Sequence, residues 1–243
     1  MNVHCLPGSG VVRTAHGLRL MNLAAHDRYT NAQIDDYAAL ARRAFLWRPP
    51  VRLQLMARFS HDGHALHGTA GFGFWNDPFL MTGGRVPALP RALWFFFASP
   101  PSNLPLADRV PGHGWKASTI DAAQPRAWRW AATAPCLPLL LRRAAWYRRL
   151  WPRVQRDLGV AEAMLAVSMT EWHEYSIAWN TDATSFAIDG QTVLHAPAPG
   201  SPLGLVIWID NQWMVATPTG RFGQGVLPIS TVQWLEIADL RLT

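Results

Sequence analysis

The sequence predicts an all-β protein, a sandwich of two antiparallel sheets. Three features carry that expectation: repeated short runs with a two-residue hydrophobic period, Pro- and Gly-rich turns between them, and an Asp-Gly hairpin signal at Asp189-Gly190. With 243 residues, 49% of them hydrophobic, the chain is long and apolar enough to bury a sizeable core. Only 16% of its residues are charged, which excludes intrinsic disorder.

The strands follow in order. Val51–Phe59 opens with Val, Leu and Leu alternating with Arg and Gln, the pattern of a strand with one buried face. Ala70-Gly-Phe-Gly-Phe-Trp75 alternates glycine with aromatics, as expected where a strand lies close under another group. Ala92-Leu-Trp-Phe-Phe-Phe-Ala98 reads as a strand buried on both faces. Glu174–Trp179 sets Tyr175, Ile177 and Trp179 on one side. Asp189-Gly190 joins Ser185–Ile188 to Gln191–Leu194, and Leu203–Ile209 and Gln233–Leu242 complete the set.

The middle of the chain breaks the pattern. Leu140, Ala144, Tyr147, Trp151, Val154 and Leu158 recur at alternating steps of four and three, which predicts an amphipathic helix over 139–158. Pro152 should kink it and Gly159 should cap it. Its Leu140, Tyr147, Trp151 and Val154 are expected to dock on the sandwich. Arg142, Arg149, Arg153 and Arg156 fall away from the stripe. Three readings of this segment stand: a helical insertion with a solvated arginine face, a lid over a cleft, or a basic surface for a membrane or another anionic partner. With the insertion set at about 136–166, the remainder reads as one domain over 1–243.

Composition narrows the classes further. The net charge is +6, yet Lys116 is the only lysine; such replacement by arginine fits a GC-rich, bacterial-type genome. No nucleic-acid-binding module is visible, so no nucleic-acid partner is expected. No stretch reaches the roughly 18 apolar residues of a membrane span, and Met1–Gly17 has no apolar signal core. A soluble, cytoplasmic protein is the expectation. Cys5 and Cys136 form no metal-ligand spacing and no disulfide scaffold. The thirteen tryptophans suit a core, and equally suit stacking against sugar rings.

The C-terminal third carries a recognisable order of motifs. Glu171-Trp-His-Glu-Tyr-Ser-Ile-Ala-Trp179 is followed by Ser185-Phe-Ala-Ile-Asp-Gly-Gln-Thr-Val193, the buried run Pro202–Asp210, and Trp234–Leu242. This resembles the closing half of the concanavalin A-like jelly roll of laminarinase- and lichenase-type glycoside hydrolases, family sixteen. Tyr29–Tyr37, Val51–Phe59 and Gly71–Trp75 sit where that family has its opening strands. The resemblance implies two curved antiparallel sheets and a ligand cleft on the concave one.

The resemblance fails at the catalytic strand. The family carries an E-x-D-x-x-E arrangement, with the nucleophile and acid/base on one strand. The strand in that place here, Leu93–Ser99, contains no carboxylate. The family's reaction therefore does not transfer.

The polar residues left near the expected cleft are Asp35, Asn76 with Asp77, and Asp210 with Gln212. Alternation groups Trp94 with Phe96, and Trp208 with Asp210 and Gln212. Trp75, Trp94, Phe96 and Trp208 are expected to line the cleft, with Asp77 and Asp210 at its polar end. Two readings follow. One is a non-hydrolytic, glycoside-hydrolase-like protein that binds a saccharide or a flat apolar small molecule. The other is an enzyme using Asp35, Asp77 or Asp210 as acid or base: a glycosidase with relocated carboxylates, or an isomerase or cyclase of a hydrophobic metabolite. His173 and Glu174 begin a strand and read as edge residues. His61, His64 and His67 lie in a Gly-containing turn, where metal binding is the less favoured reading. No cofactor is expected; a structural calcium near Asp239 is a weak hint from the resemblance.

Overall fold

The computed structural model describes residues 1–78, 86–134 and 136–243. It is an all-β jelly-roll sandwich of two seven-stranded antiparallel sheets with a small helical insertion. The first sheet runs β1 (Asn2–Cys5), β4 (Asn31–Asp35), β13 (Gly204–Asp210), β6 (Thr69–Trp75), β7 (Arg91–Ala98), β8 (Gly114–Asp121) and β9 (Ala161–Met164). The second runs β12 (Gln191–Pro197), β11 (Ala183–Ile188), β10 (His173–Trp179), β5 (Val51–Phe59), β16 (Gln233–Leu242), β3 (Leu18–Asn22) and β2 (Ser9–Arg13). A hairpin of β14 (Gln212–Ala216) and β15 (Phe222–Val226) stands apart from both.

Two-residue alternation builds the core. Val51, Leu53, Leu55, Ala57 and Phe59 of β5 all point inward, with the residues between them more exposed. They face Phe72, Phe74, Phe95, Phe97 and the β13 residues Leu205, Ile207 and Ile209. Aromatic rings knit the layers, with Phe95 at 5.0 Å from Tyr175 and 5.4 Å from Phe186 across the sandwich. The Asp189-Gly190 hairpin forms as the sequence predicts, both residues having positive φ (50° and 77°).

The helical segment differs from its expectation. It begins earlier, with a 3-10 helix at Pro125–Thr133, and divides into α1 (Leu137–Leu141) and α2 (Ala144–Asp157). The break falls at Arg142-Arg143, where Arg143 is extended (φ −87°, ψ 120°), while Pro152 stays inside α2. Residues 161–164, expected in the insertion, form edge strand β9. Trp151 and Val154 are buried, but in a small core of the insertion itself with Leu141, Trp130 and Tyr147 and not in the sandwich core where they were expected to dock; Leu140 is exposed. Gly159, at φ 60°, ends α2 as the capping glycine. Among the described residues no helix is long and apolar enough to cross a membrane.

Candidate functional site

The registers of the first sheet define its outer face residue by residue. Ala32, Ile34, Phe72, Phe95 and Ile207 point into the core, so their neighbours along each strand point outward. One outward row crosses the sheet as Gln33, Trp208, Gly71, Phe96 and Lys116. The next row is Asp35, Val206, Gly73, Trp94, Ser118 and Glu162. Beyond it come Gly204, Trp75, Ala92 and Ile120; on the other side lie Asn31, Asp210, Thr69 and Ala98.

The four expected aromatics meet on this face. Trp94 lies 5.4 Å from Phe96, 5.5 Å from Trp208 and 5.7 Å from Trp75, and the Trp75 and Trp208 rings are parallel at 6.2 Å. The alternating glycines of β6 make room for them. A Cβ on Gly71 would sit 2.8 Å from the Trp208 ring, and one on Gly73 would sit 2.8 Å from Trp94 Cβ. Trp75, Trp94 and Trp208 are buried beneath Tyr37 and Phe45, with Leu40, Leu106 and Val160 at the margin. Phe96, half-buried, is the most open of the four.

The three aspartates do not converge. Asp210 pairs with Thr69 at the start of β6, and Asp77 lies two residues beyond its end at Trp75. At about 3.3 Å per residue, that places them roughly 25 Å apart, at opposite ends of the aromatic row rather than at one polar end. Alternation fixes which face a residue occupies but not how far along the sheet it lies.

Each aspartate has a local role. Asp35 is buried, its Oδ1 accepting from Asn2 Nδ2, Tyr37 N and Ala38 N, and its Oδ2 from Gln33 Nε2. It anchors the turn after β4. Asp77 is buried with φ 47°, and its carbonyl accepts from Arg42 Nη2 at 2.7 Å. Asn76, just past β6, donates to Leu89 O and accepts from Arg91 N at the start of β7. These are the turn chemistries that favour Asp and Asn.

Asp210 is different because it connects to the aromatics. Its Oδ1 accepts from Thr69 N, Thr69 Oγ1 and Gln212 N, and Tyr29 Oη donates to its Oδ2 at 3.3 Å. Thr69 Oγ1 in turn accepts from Trp208 Nε1 at 2.9 Å, forming a chain from indole to carboxylate. Burial raises the Asp210 carboxyl to about 6 despite these donors. Burial, followed by the Asp210 charge, pushes the Tyr29 phenol up as well. The Gln212 side chain is half-buried beside this group.

Several site residues escape a reading of the sequence. Lys116 and Glu162 form an ion pair at 3.0 Å with side chains 1% and 2% exposed. Lys116 also donates to Pro111 O, while Glu162 accepts from Ala107 N. The sole lysine was visible as a compositional oddity, but nothing local names its partner 46 residues away. On the opposite flank, Gln33 donates to Tyr37 Oη, which also accepts from Trp75 Nε1 at 2.6 Å. Gln33 Oε1 and both polar atoms of the Asn31 amide are buried with no hydrogen-bond partner among the described residues.

Among the described residues no three His, Cys, Asp or Glu side chains gather as a metal site. His61 Nδ1 contacts Ser60 Oγ, and His67 Nδ1 contacts Pro228 O. Asp239 is exposed with φ 50°, at an irregularity in the pairing of β16 with β5.

No family model and no curated protein sequence matches the chain. Similar solved structures include a Crh5 transglycosylase in complex with NAG, at 10% identity and a TM-score of 0.49, covering 99% of this chain and 78% of that one. The β-glucanase of Bacillus licheniformis is 11% identical at a TM-score of 0.48, covering 96% and 81%. A GlcNAcα1-4Gal-releasing endo-β-galactosidase from Clostridium perfringens is 11% identical at 0.49, covering 96% of this chain and 53% of that one. The likeness is one of chain path, and no residue role follows from it.

Proposed function

We propose that the protein binds a saccharide, or another ligand with a flat apolar face, on the outer face of the first sheet without hydrolysing it. The observation that carries this reading is β7, which presents Trp94 and Phe96 outward where a family-sixteen enzyme would carry its carboxylates. The remaining acids cannot substitute as a pair. Asp35 and Asp210 are four residues apart in register, about 13 Å, and Glu162 lies four strands from Asp210, roughly 19 Å across the sheet alone. A retaining pair needs about 5 Å, and an inverting pair under about 10 Å.

What the face offers instead is an apolar floor with polar flanks, the usual composition of a small-molecule site. Phe96 and the edges of Trp94 and Trp208 supply the floor. The Asn31 amide and Gln33 Oε1, buried and without a partner among the described residues, stand on one flank, and the buried side chains of Ser118, Lys116 and Glu162 on the other. Titration calorimetry across a panel of oligosaccharides, paired with a reducing-end assay, tests the reading. A bound saccharide whose affinity falls about tenfold in Phe96→Ala, with no sugar released, is the expected result. Retaining hydrolysis of a soluble β-glucan would overturn it.

One observation favours an enzyme: the Asp210 carboxyl at about 6, in reach of the Tyr29 phenol. If Asp210 serves as an acid or base, Asp210→Asn abolishes turnover while leaving ligand affinity in place. Retained turnover in that variant removes Asp210 from the chemistry.

A further inference from the structure

The helical insertion holds the charge of the chain. Residues 125–158 contain eight arginines and one acid, a balance of +7 inside a protein of +6, so the rest of the chain sums to −1. All eight arginines are exposed. The single acid, Asp157, is buried and already taken by Trp130 Nε1 at 2.8 Å and Arg129 at 3.3 Å. The solvent side of the insertion is therefore entirely positive.

Its arrangement is not that of an ordinary solvated helix. Trp146, Arg149, Arg153 and Arg156 follow one another at steps of three, four and three, a single row on the side of α2 opposite Trp151 and Val154. Like charges at these spacings weaken a helix, and no acid on α2 faces the row to offset them. Large apolar side chains stand among the arginines: Trp128 is 70% exposed, Leu139 60%, Leu140 41% and Trp146 40%. They are surplus to the small core of the insertion, which closes around Leu141, Trp151 and Val154. The turn after β14 lies alongside, since Arg142 Nε donates to Thr219 O and Gly220 approaches Pro138. Beyond that turn Phe222, the first residue of β15, is 72% exposed.

We propose that this insertion docks the protein on an anionic lipid bilayer. Arginines and tryptophans together would suit any polyanion. The exposed Leu139 and Leu140 gain nothing on a nucleic acid, but they enter the acyl boundary of a membrane while Trp sits at headgroup level and Arg meets lipid phosphate. The row Trp146, Arg149, Arg153 and Arg156 lies away from Gln155, through which α2 meets Leu106 at the margin of the aromatic face, so lipid docking and ligand binding are read by separate assays.

Flotation with vesicles tests it, comparing phosphatidylcholine alone with phosphatidylcholine containing phosphatidylglycerol. The full chain is expected to float only with the anionic vesicles. Arg149→Gln/Arg153→Gln should lower partitioning by roughly 25-fold at low salt, about fivefold for each charge near the surface. Trp128→Ala/Trp146→Ala should remove the binding that survives raised salt. All four side chains are exposed, and an unchanged thermal melt confirms that the variants are folded. Equal flotation with both vesicle types, or none, overturns the proposal. So does binding that ignores the tryptophan substitutions and is fully competed by duplex DNA, which would make the surface a nucleic-acid site.

Discussion

Replacing Asp210 by Asn probes the buried end of the aromatic face. In the folded chain burial lifts this carboxyl to about 6, against donors from Gln212, Thr69 and Tyr29 that pull it down. In the unfolded chain an aspartate ionises near 4. The folded state therefore holds the proton more tightly. Its contribution to stability is complete below about pH 4 and is lost as pH rises through about 6. Asparagine cannot ionise, and it fits the site. Its oxygen can accept from Thr69 and Gln212, and its amide can donate to Tyr29 Oη, now 3.3 Å from Oδ2. A difference of about two pH units corresponds to about 3 kcal/mol. Asp210→Asn should thus gain about 3 kcal/mol on the native protein between pH 4 and pH 8. Urea unfolding of both proteins at the two pH values measures this, because subtraction cancels every other titrating group. A difference that does not change with pH would refute the reasoning.

Three further outcomes are expected. Lys116→Met strands the buried Glu162 charge and should cost about 3–5 kcal/mol in denaturant unfolding, while Lys116→Met/Glu162→Leu should recover most of it; equal losses would deny the pair its coupling. Gly71→Ala puts a Cβ 2.2 Å from Phe95 O and 2.8 Å from the Trp208 ring, so melting should reveal a loss of about 1–3 kcal/mol, and an unchanged melt would contradict the close approach. Trp151→Ala should cost about 3 kcal/mol or more and reduce the helical circular dichroism signal; an unaltered melting temperature would mean that α2 does not dock through it.

Much of this architecture could be read locally. Alternation in 51–59 and 70–75 names the buried face without any knowledge of partners, and Asp189-Gly190 carries its own turn geometry. The meeting of Trp94, Phe96 and Trp208 was legible for the same reason, since a two-residue period sorts faces. Distance along a face was not legible. It depends on register between strands far apart in sequence, which is why Asp77 and Asp210 looked like neighbours. The Lys116–Glu162 pair was hidden similarly, because β8 carries buried residues on both faces and shows no period. The helix break at Arg142-Arg143 had no proline or glycine to announce it, whereas Pro152 lies within the continuous span of α2.

The position of β16 has a consequence for how the chain reaches this state. Its residues 233–242 pair with Asn22–Leu18 on one side and with 53–59 on the other, so β16 sits inside the second sheet and not at its rim. Until it emerges during synthesis, β5 offers an unpaired edge, and the β2–β3 ribbon has nothing to join. Pairings this distant in sequence form slowly, and the open edge is exposed to other chains in the meantime. Folding of this sheet must therefore wait until residues 233–242 are available. A chain cut short at Thr231 would not be a smaller sandwich: it would lose the bridge between two parts of one sheet, and aggregation rather than truncation would be its phenotype.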